Sequence, residues 1–162
     1  MKRVIVTIAA ALILAQPLVA SAAPGDPDRR SELVHFTKGA SSTMVKGRIK
    51  GYRYIDYVVR AAAGQTLSVE MQTGNGANYF NILPPGSSDV AMFVGSTSGN
   101  QFSGVLPADG DYVIRVYLMR SAARRNESAN YMLTVGVSGQ PLAATPAAKD
   151  ALIPGTPFHA SA

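Results

Sequence analysis

The chain contains no cysteine and no tryptophan, and only two of its 162 residues are histidine. Lack of cysteine excludes disulfides, thiolate nucleophiles, lipid attachment through a lipobox and every cysteine-based metal site. With His35 isolated in a strand-like run and His159 near the end, little imidazole chemistry can be assembled. Lack of tryptophan removes the strongest stacking side chain for sugar rings or nucleobases, leaving 7 tyrosines and 5 phenylalanines for such contacts. Charge is also scarce: 15% of residues are charged, against about 25% in an average protein. There is no long hydrophobic run either. The apolar stretch at residues 4–15 falls short of the roughly 20 residues that span a bilayer as a helix, so no stable membrane anchor is expected.

What is present reads as one exported domain. Lys2 and Arg3 precede the apolar stretch, and Ala20-Ser21-Ala22 offers the small residues a signal peptidase requires, which predicts a signal peptide over 1–22 and a periplasmic or secreted product. Lys2 and Arg3 also account for two of the +5 net charges, so the remaining excess is mild and gives no sign of nucleic-acid binding. Residues 23–31 read as a flexible polar leader, and 139–162, rich in alanine and proline, as a disordered tail. The domain is expected over 32–138.

Within those limits apolar residues alternate in short runs punctuated by glycine, proline, asparagine and aspartate, the pattern of half-buried strands. Candidate strands are 33–37, 43–49, 54–60, 66–72, 78–83, 90–94, 101–105, 111–118 and 130–137. Eight or nine short strands cannot bury their apolar faces as one open sheet, so the expected fold is all-β, a single antiparallel β-sandwich. Tyr112, Ile114, Val116 and Leu118 form the expected core face of one strand, and Tyr131, Leu133, Val135 and Val137 that of another.

The motifs of common enzymes are missing: there is no HExxH, no phosphate-binding loop and no GxSxG. Ser41 and Ser42 read as turn residues without an activating base. The acids Asp56, Glu70, Asp89, Asp109 and Asp111 are scattered, and Asp109-Gly110-Asp111 looks more like a turn than a calcium loop. The chain is therefore expected to be no enzyme, with no catalytic residues, no cofactor and no metal. Its most unusual segment is 120–129, longer than an ordinary hairpin loop. Arg120, Arg124 and Arg125 cluster there with Glu127 the one nearby acid. Such a loop is ordinarily just solvated, but three arginines and no lysine suit bidentate capture of carboxylates. If the segment forms a helical turn, Arg120 and Arg124 at i and i+4 project on the same side.

Three stretches carry a family resemblance: FTKGASS at 36–42, GRIKGYRYIDY at 47–57 and LPADGDYVIRVYLMRSAARR at 106–125. Together with AGQTL at 63–67 they resemble the periplasmic inhibitors of goose-type lysozyme over about 34–137. The AGQ and PADGDY pieces alone are also similar to pre-peptidase C-terminal β-sandwich modules, which leaves a glycan- or matrix-binding module as the alternative function. The K-G-Y-x-Y and R-x-x-x-R combination is the more specific. The resemblance implies a β-sandwich that inserts protruding elements into the active-site cleft of lysozyme, its partner. By motif matching the interface residues are Tyr52, Arg120 and Arg124. Arg53, directly after the matched tyrosine, and the tail beyond Gly139 depart from the family pattern.

Overall fold

The computed structural model describes residues 28–142. The proposed signal peptide at 1–22, leader residues 23–27 and tail residues 143–162, with His159, lie outside the described residues.

Nine strands and two short helical turns follow in chain order: β1 (Arg29–Leu33), β2 (Ser42–Lys50), β3 (Tyr54–Ala61), β4 (Thr66–Thr73), β5 (Asn78–Leu83), β6 (Phe93–Val94), α1 (Gly95–Ser98), β7 (Gln101–Val105), β8 (Gly110–Leu118), α2 (Arg120–Arg124) and β9 (Ser128–Ser138). They form a five-stranded sheet, β1-β3-β8-β5-β6, and a four-stranded sheet, β2-β9-β4-β7. The two pack into the expected all-β sandwich.

Alternation drives this arrangement. Tyr112, Ile114, Val116 and Leu118 of β8 are buried, as are Tyr131, Leu133 and Val135 of β9, while Val137 is partly buried against the same core. Phe80, Ile82, Leu67 and Val69 complete the shared interior from β5 and β4. Burying such side chains contributes about 1.5–3 kcal/mol each. Two tyrosines carry their hydroxyls into this interior and meet there: Tyr57 and Tyr131, one from each sheet, share a 2.8 Å hydrogen bond. Gly47 of β2 lies under the Tyr131 ring, where a Cβ would collide with it. The phenol of Tyr112 turns back to the chain, donating to the Ala108 carbonyl at 2.8 Å, the tyrosine-corner device of β-sandwiches.

Three details differ from expectation. The first strand is Arg29–Leu33, not 33–37, so residues 29–31 belong to the sheet and not to a leader. It runs parallel to β3, the one parallel pairing among the described strands. Parallel strands need a crossover connection, and here the chain passes through β2 in the other sheet between β1 and β3. Its polar, mostly exposed sequence RRSEL has no alternation to reveal it; the pairing rests on backbone bonds and on Arg29, whose Nε lies 2.8 Å from Asp56. At the other end, residues 139–142 are tied down instead of loose: the Leu142 amide donates to Ala63 at 2.7 Å and Gln65 donates to the Gly139 carbonyl. The candidate strand at 90–94 shortens to two residues, because Ser87 and Val90 close a turn through the serine hydroxyl.

Asp56 faces outward from β3, yet it is fully buried under β1 and the loop after β5. Arg115 of β8 grips it with Nε at 2.8 Å and an η-nitrogen at 3.0 Å, and the same guanidinium lies 4.7 Å from the centre of the Tyr54 ring. Arg115 also donates to the Ser88 carbonyl. The paired carboxylate raises the Arg115 pKa further above its already high value. The edge strand β1 and the loop at Ser88 are thus tied to the sheet by one buried ion cluster.

Candidate functional site

β2 and β3 lie in different sheets and are joined by the turn Lys50-Gly51-Tyr52-Arg53, closed by the Arg53 amide donating to the Lys50 carbonyl at 3.2 Å. Gly51 has φ +61, the conformation that favours glycine at the first central position of a type II′ turn. Tyr52 follows at the tip and is 58% exposed.

β8 and β9 also lie in different sheets, and their connection carries α2. The segment is helical, with Ala122 and Ala123 buried against the sandwich while Arg120 and Arg124 stand exposed. The sequence Arg-Ser-Ala-Ala-Arg accounts for this: the two small alanines face inward where the helix must sit close, and the arginines at i and i+4 project outward. The start of the helix is fixed by the Met119 amide donating to Ala77 at 2.8 Å. Its end is fixed by Asn126, the one non-glycine residue with positive φ among those described, at +56. Asparagine tolerates that left-handed geometry better than most residues, and the Asn126 and Glu127 amides then close back on Ala123 and Ala122.

The two connections touch. The Gly51 amide donates to the Glu127 carbonyl at 2.9 Å, and the glycine lies so close to Asn126 that a Cβ would stand 3.0 Å from its side-chain oxygen. Tyr52, Arg120 and Arg124 are therefore presented from one end of the sandwich, with the tyrosine turn seated on the C-terminal end of α2.

The arginines of this region divide by what they hold. Arg125 is engaged by Glu127, Nε to Oε1 at 2.8 Å. Glu127 also accepts from the Asn75 amide at 3.1 Å; that bond first, and Arg125 second, hold its carboxyl below the ordinary 4.5. The side chains of Arg120 and Arg124 have no hydrogen bond or ion pair with any described residue. Two guanidinium forks therefore stand free at the surface beside an exposed phenol, an arrangement suited to binding carboxylates. The Asn75–Glu127–Arg125 brace and the Gly51–Asn126 contact were not picked out from the sequence. The odd length of the loop was the only local signal for them.

The remaining candidates are dispersed. His35 is exposed on the chain after β1. Asp111 is forked by Arg60 across the β3–β8 pair at 2.8 and 3.0 Å, and Asp109 accepts from the Ala63 amide, so both acids of the Asp-Gly-Asp turn serve structure. Among the described residues no three histidines or acids gather as metal ligands, and no helix is long and apolar enough to cross a membrane.

The chain and its fold have relatives among known proteins. No protein-family model matches the chain. An inhibitor of g-type lysozyme from Escherichia coli (strain K12) is 34% identical over 108 residues, covering 64% of this chain and 78% of the relative. The crystal structure of Aeromonas hydrophila PliG, a periplasmic inhibitor of g-type lysozyme, superposes with a TM-score of 0.63 at 37% identity, covering 68% of this chain and 97% of that one. A mutant of the Escherichia coli protein PliG-Ec gives a TM-score of 0.52 at 32% identity, covering 68% and 98%. The relative is matched over 78% of its length at 34% identity, so the chain belongs to the family of periplasmic g-type lysozyme inhibitors.

Proposed function

We propose that this protein inhibits g-type lysozyme in the periplasm by placing Tyr52, Arg120 and Arg124 in the substrate cleft of the enzyme. The inhibitory function and its compartment follow from family membership. The observation that carries the site is the pair of unpartnered guanidinium groups on α2, seated against the turn that exposes Tyr52.

Glycoside hydrolases of this kind work through carboxyl groups in a cleft. A free arginine fork entering such a cleft forms charge-assisted, bidentate bonds with those acids and excludes the sugar. Tyr52 adds a rigid ring with a hydroxyl, an anchor that loses little conformational entropy on binding. Because α2 and the turn are braced on the sandwich, the contact surface is already organised before binding, which lowers the entropic cost of association.

The test is lysis of peptidoglycan by g-type and chicken-type lysozymes, each with and without the purified protein. Selective loss of g-type activity is expected. Inhibition of neither enzyme would overturn the function; inhibition that survives both Arg120→Ala and Arg124→Ala would overturn the site and leave the function standing.

A further inference from the structure

β1 and β2 are the edge strands of the two sheets and lie on the same flank of the sandwich. Between them runs a groove of about 400 Å³ lined by five cations, Arg29, Arg30, Arg48, Lys50 and Arg53. Asp28 is the one carboxylate among its described lining residues. Arg29 is bound to Asp56 and Arg30 to Glu32. The other three have no carboxylate partner among the described residues: Arg48 meets only the Ser128 hydroxyl at 3.4 Å, while Lys50 and Arg53 are the first and last residues of one tight turn. By contrast, Arg60 and Arg115 each fork a carboxylate and Arg125 pairs with Glu127. Concentrating like charges in a concave site raises their mutual repulsion, which a bound anion relieves.

From this groove we infer that the protein has a second binding site, whose lining does not include Tyr52, Arg120 or Arg124, for the carboxylate-bearing stem peptides of peptidoglycan. The arginine-rich lining matches carboxylates, whose two oxygens accept the planar fork. Its shape favours a chain over a membrane surface: the apolar lining residues Ile49 and Ile55 are 2% and 5% exposed, so nothing is available to insert among lipid tails. Holding an inhibitor on the polymer that lysozyme attacks raises its effective concentration there. That benefit rests on the function proposed above, whereas the binding itself does not.

The experiment is sedimentation of the protein with purified, insoluble peptidoglycan in the absence of lysozyme. Binding is expected at low salt and is lost at about 1 M salt, where the screening length is about 3 Å. The double variant Arg30→Glu/Arg48→Glu should bind about tenfold or more weakly. It should keep its thermal midpoint and its inhibition of a lysozyme acting on a soluble chitooligosaccharide, a readout free of stem peptides. Peptidoglycan stripped of its peptides by an amidase should no longer capture the protein. No sedimentation, equal binding by the double variant, or retention on the stripped glycan each overturns the site, as does capture by anionic phospholipid vesicles in place of peptidoglycan. Failure of inhibition on the soluble substrate would instead count against the proposed function, so the two readings fail separately.

Discussion

Arg115 and Arg124 stand on either side of the end of β8 and have opposite surroundings. Arg115 is 25% exposed, holds both oxygens of a fully buried Asp56 and lies against the Tyr54 ring. Arg124 is exposed on a five-residue helix and holds nothing among the described residues. The first has its hydrogen-bonding capacity consumed inside the fold, so changing it should act on stability. The second keeps its fork available, so changing it should act on binding. Arg125, next in the chain, is braced by Glu127 and belongs with the first group despite its exposure. Residue type and sequence proximity do not separate these roles; partner accounting does.

The sharpest way to break the comparison is to truncate both kinds. Arg120→Ala and Arg124→Ala should each weaken binding to g-type lysozyme by about 2–5 kcal/mol, the usual loss for one partner of a desolvated charge pair. That corresponds to roughly 30-fold to several-thousand-fold in affinity, and the thermal midpoint should not move. Calorimetric titration beside a melting curve reads both; a lowered melting point with intact affinity would reverse the assignment. Asp56→Ala should do the opposite. Breaking a buried ion pair costs about 3–5 kcal/mol, and the partial exposure of Arg115 and Arg29 places this case near 3. Denaturant unfolding should show the loss, while the folded fraction inhibits normally.

Tyr57→Phe probes the polar contact between the sheets. It leaves the buried Tyr131 hydroxyl without its 2.8 Å partner and should cost about 1–3 kcal/mol, with the double variant Tyr57→Phe/Tyr131→Phe recovering part of it. Burial raises the pKa of both phenols, most strongly that of Tyr131. Folding therefore favours the protonated phenols: their contribution is complete below the ordinary value of 10.0 and is lost as pH rises beyond it. Stability of the parent protein should fall above about pH 10, less steeply in the double variant.

Most of the fold was legible because its strands alternate and its turns carry glycine, proline or aspartate; β5 and β7 begin and end where the pattern placed them. β1 escaped because a polar edge strand has no buried face to impose a period, and its parallel direction is set by a crossover through the other sheet. Asp56 read as one of several scattered acids, since an outward position on a strand gives no hint that β1 and the loop near Ser88 cover it. At the site, the spacing of Arg120 and Arg124 was visible in the sequence, and Tyr52 was visible only through family likeness. The brace that unites them joins Gly51 to Asn126 and Glu127, residues too far apart in sequence for any local pattern to pair.

That brace gives the smallest effects and the finest test of whether the exposed end is organised before it binds. Gly51→Ala places a Cβ 3.0 Å from the Asn126 oxygen on a backbone with φ +61, so the turn must shift. The global cost should be only about 1–2 kcal/mol, yet inhibition should weaken because Tyr52 moves relative to α2. Glu127 allows the same question without altering the turn. Its pKa lies below 4.5, so it stabilises the folded loop above that ordinary value and loses the contribution as pH falls through the lowered one. Glu127→Gln keeps an acceptor for Asn75 but removes the charge opposite Arg125. If the charge matters to the brace, amide exchange near 125–128 should quicken in the variant at neutral pH and in the parent only under acid. If the two proteins exchange alike at every pH, the backbone bonds to Ala122, Ala123 and Gly51 hold the loop alone, and the free arginines owe their placement to the chain path instead of to electrostatics.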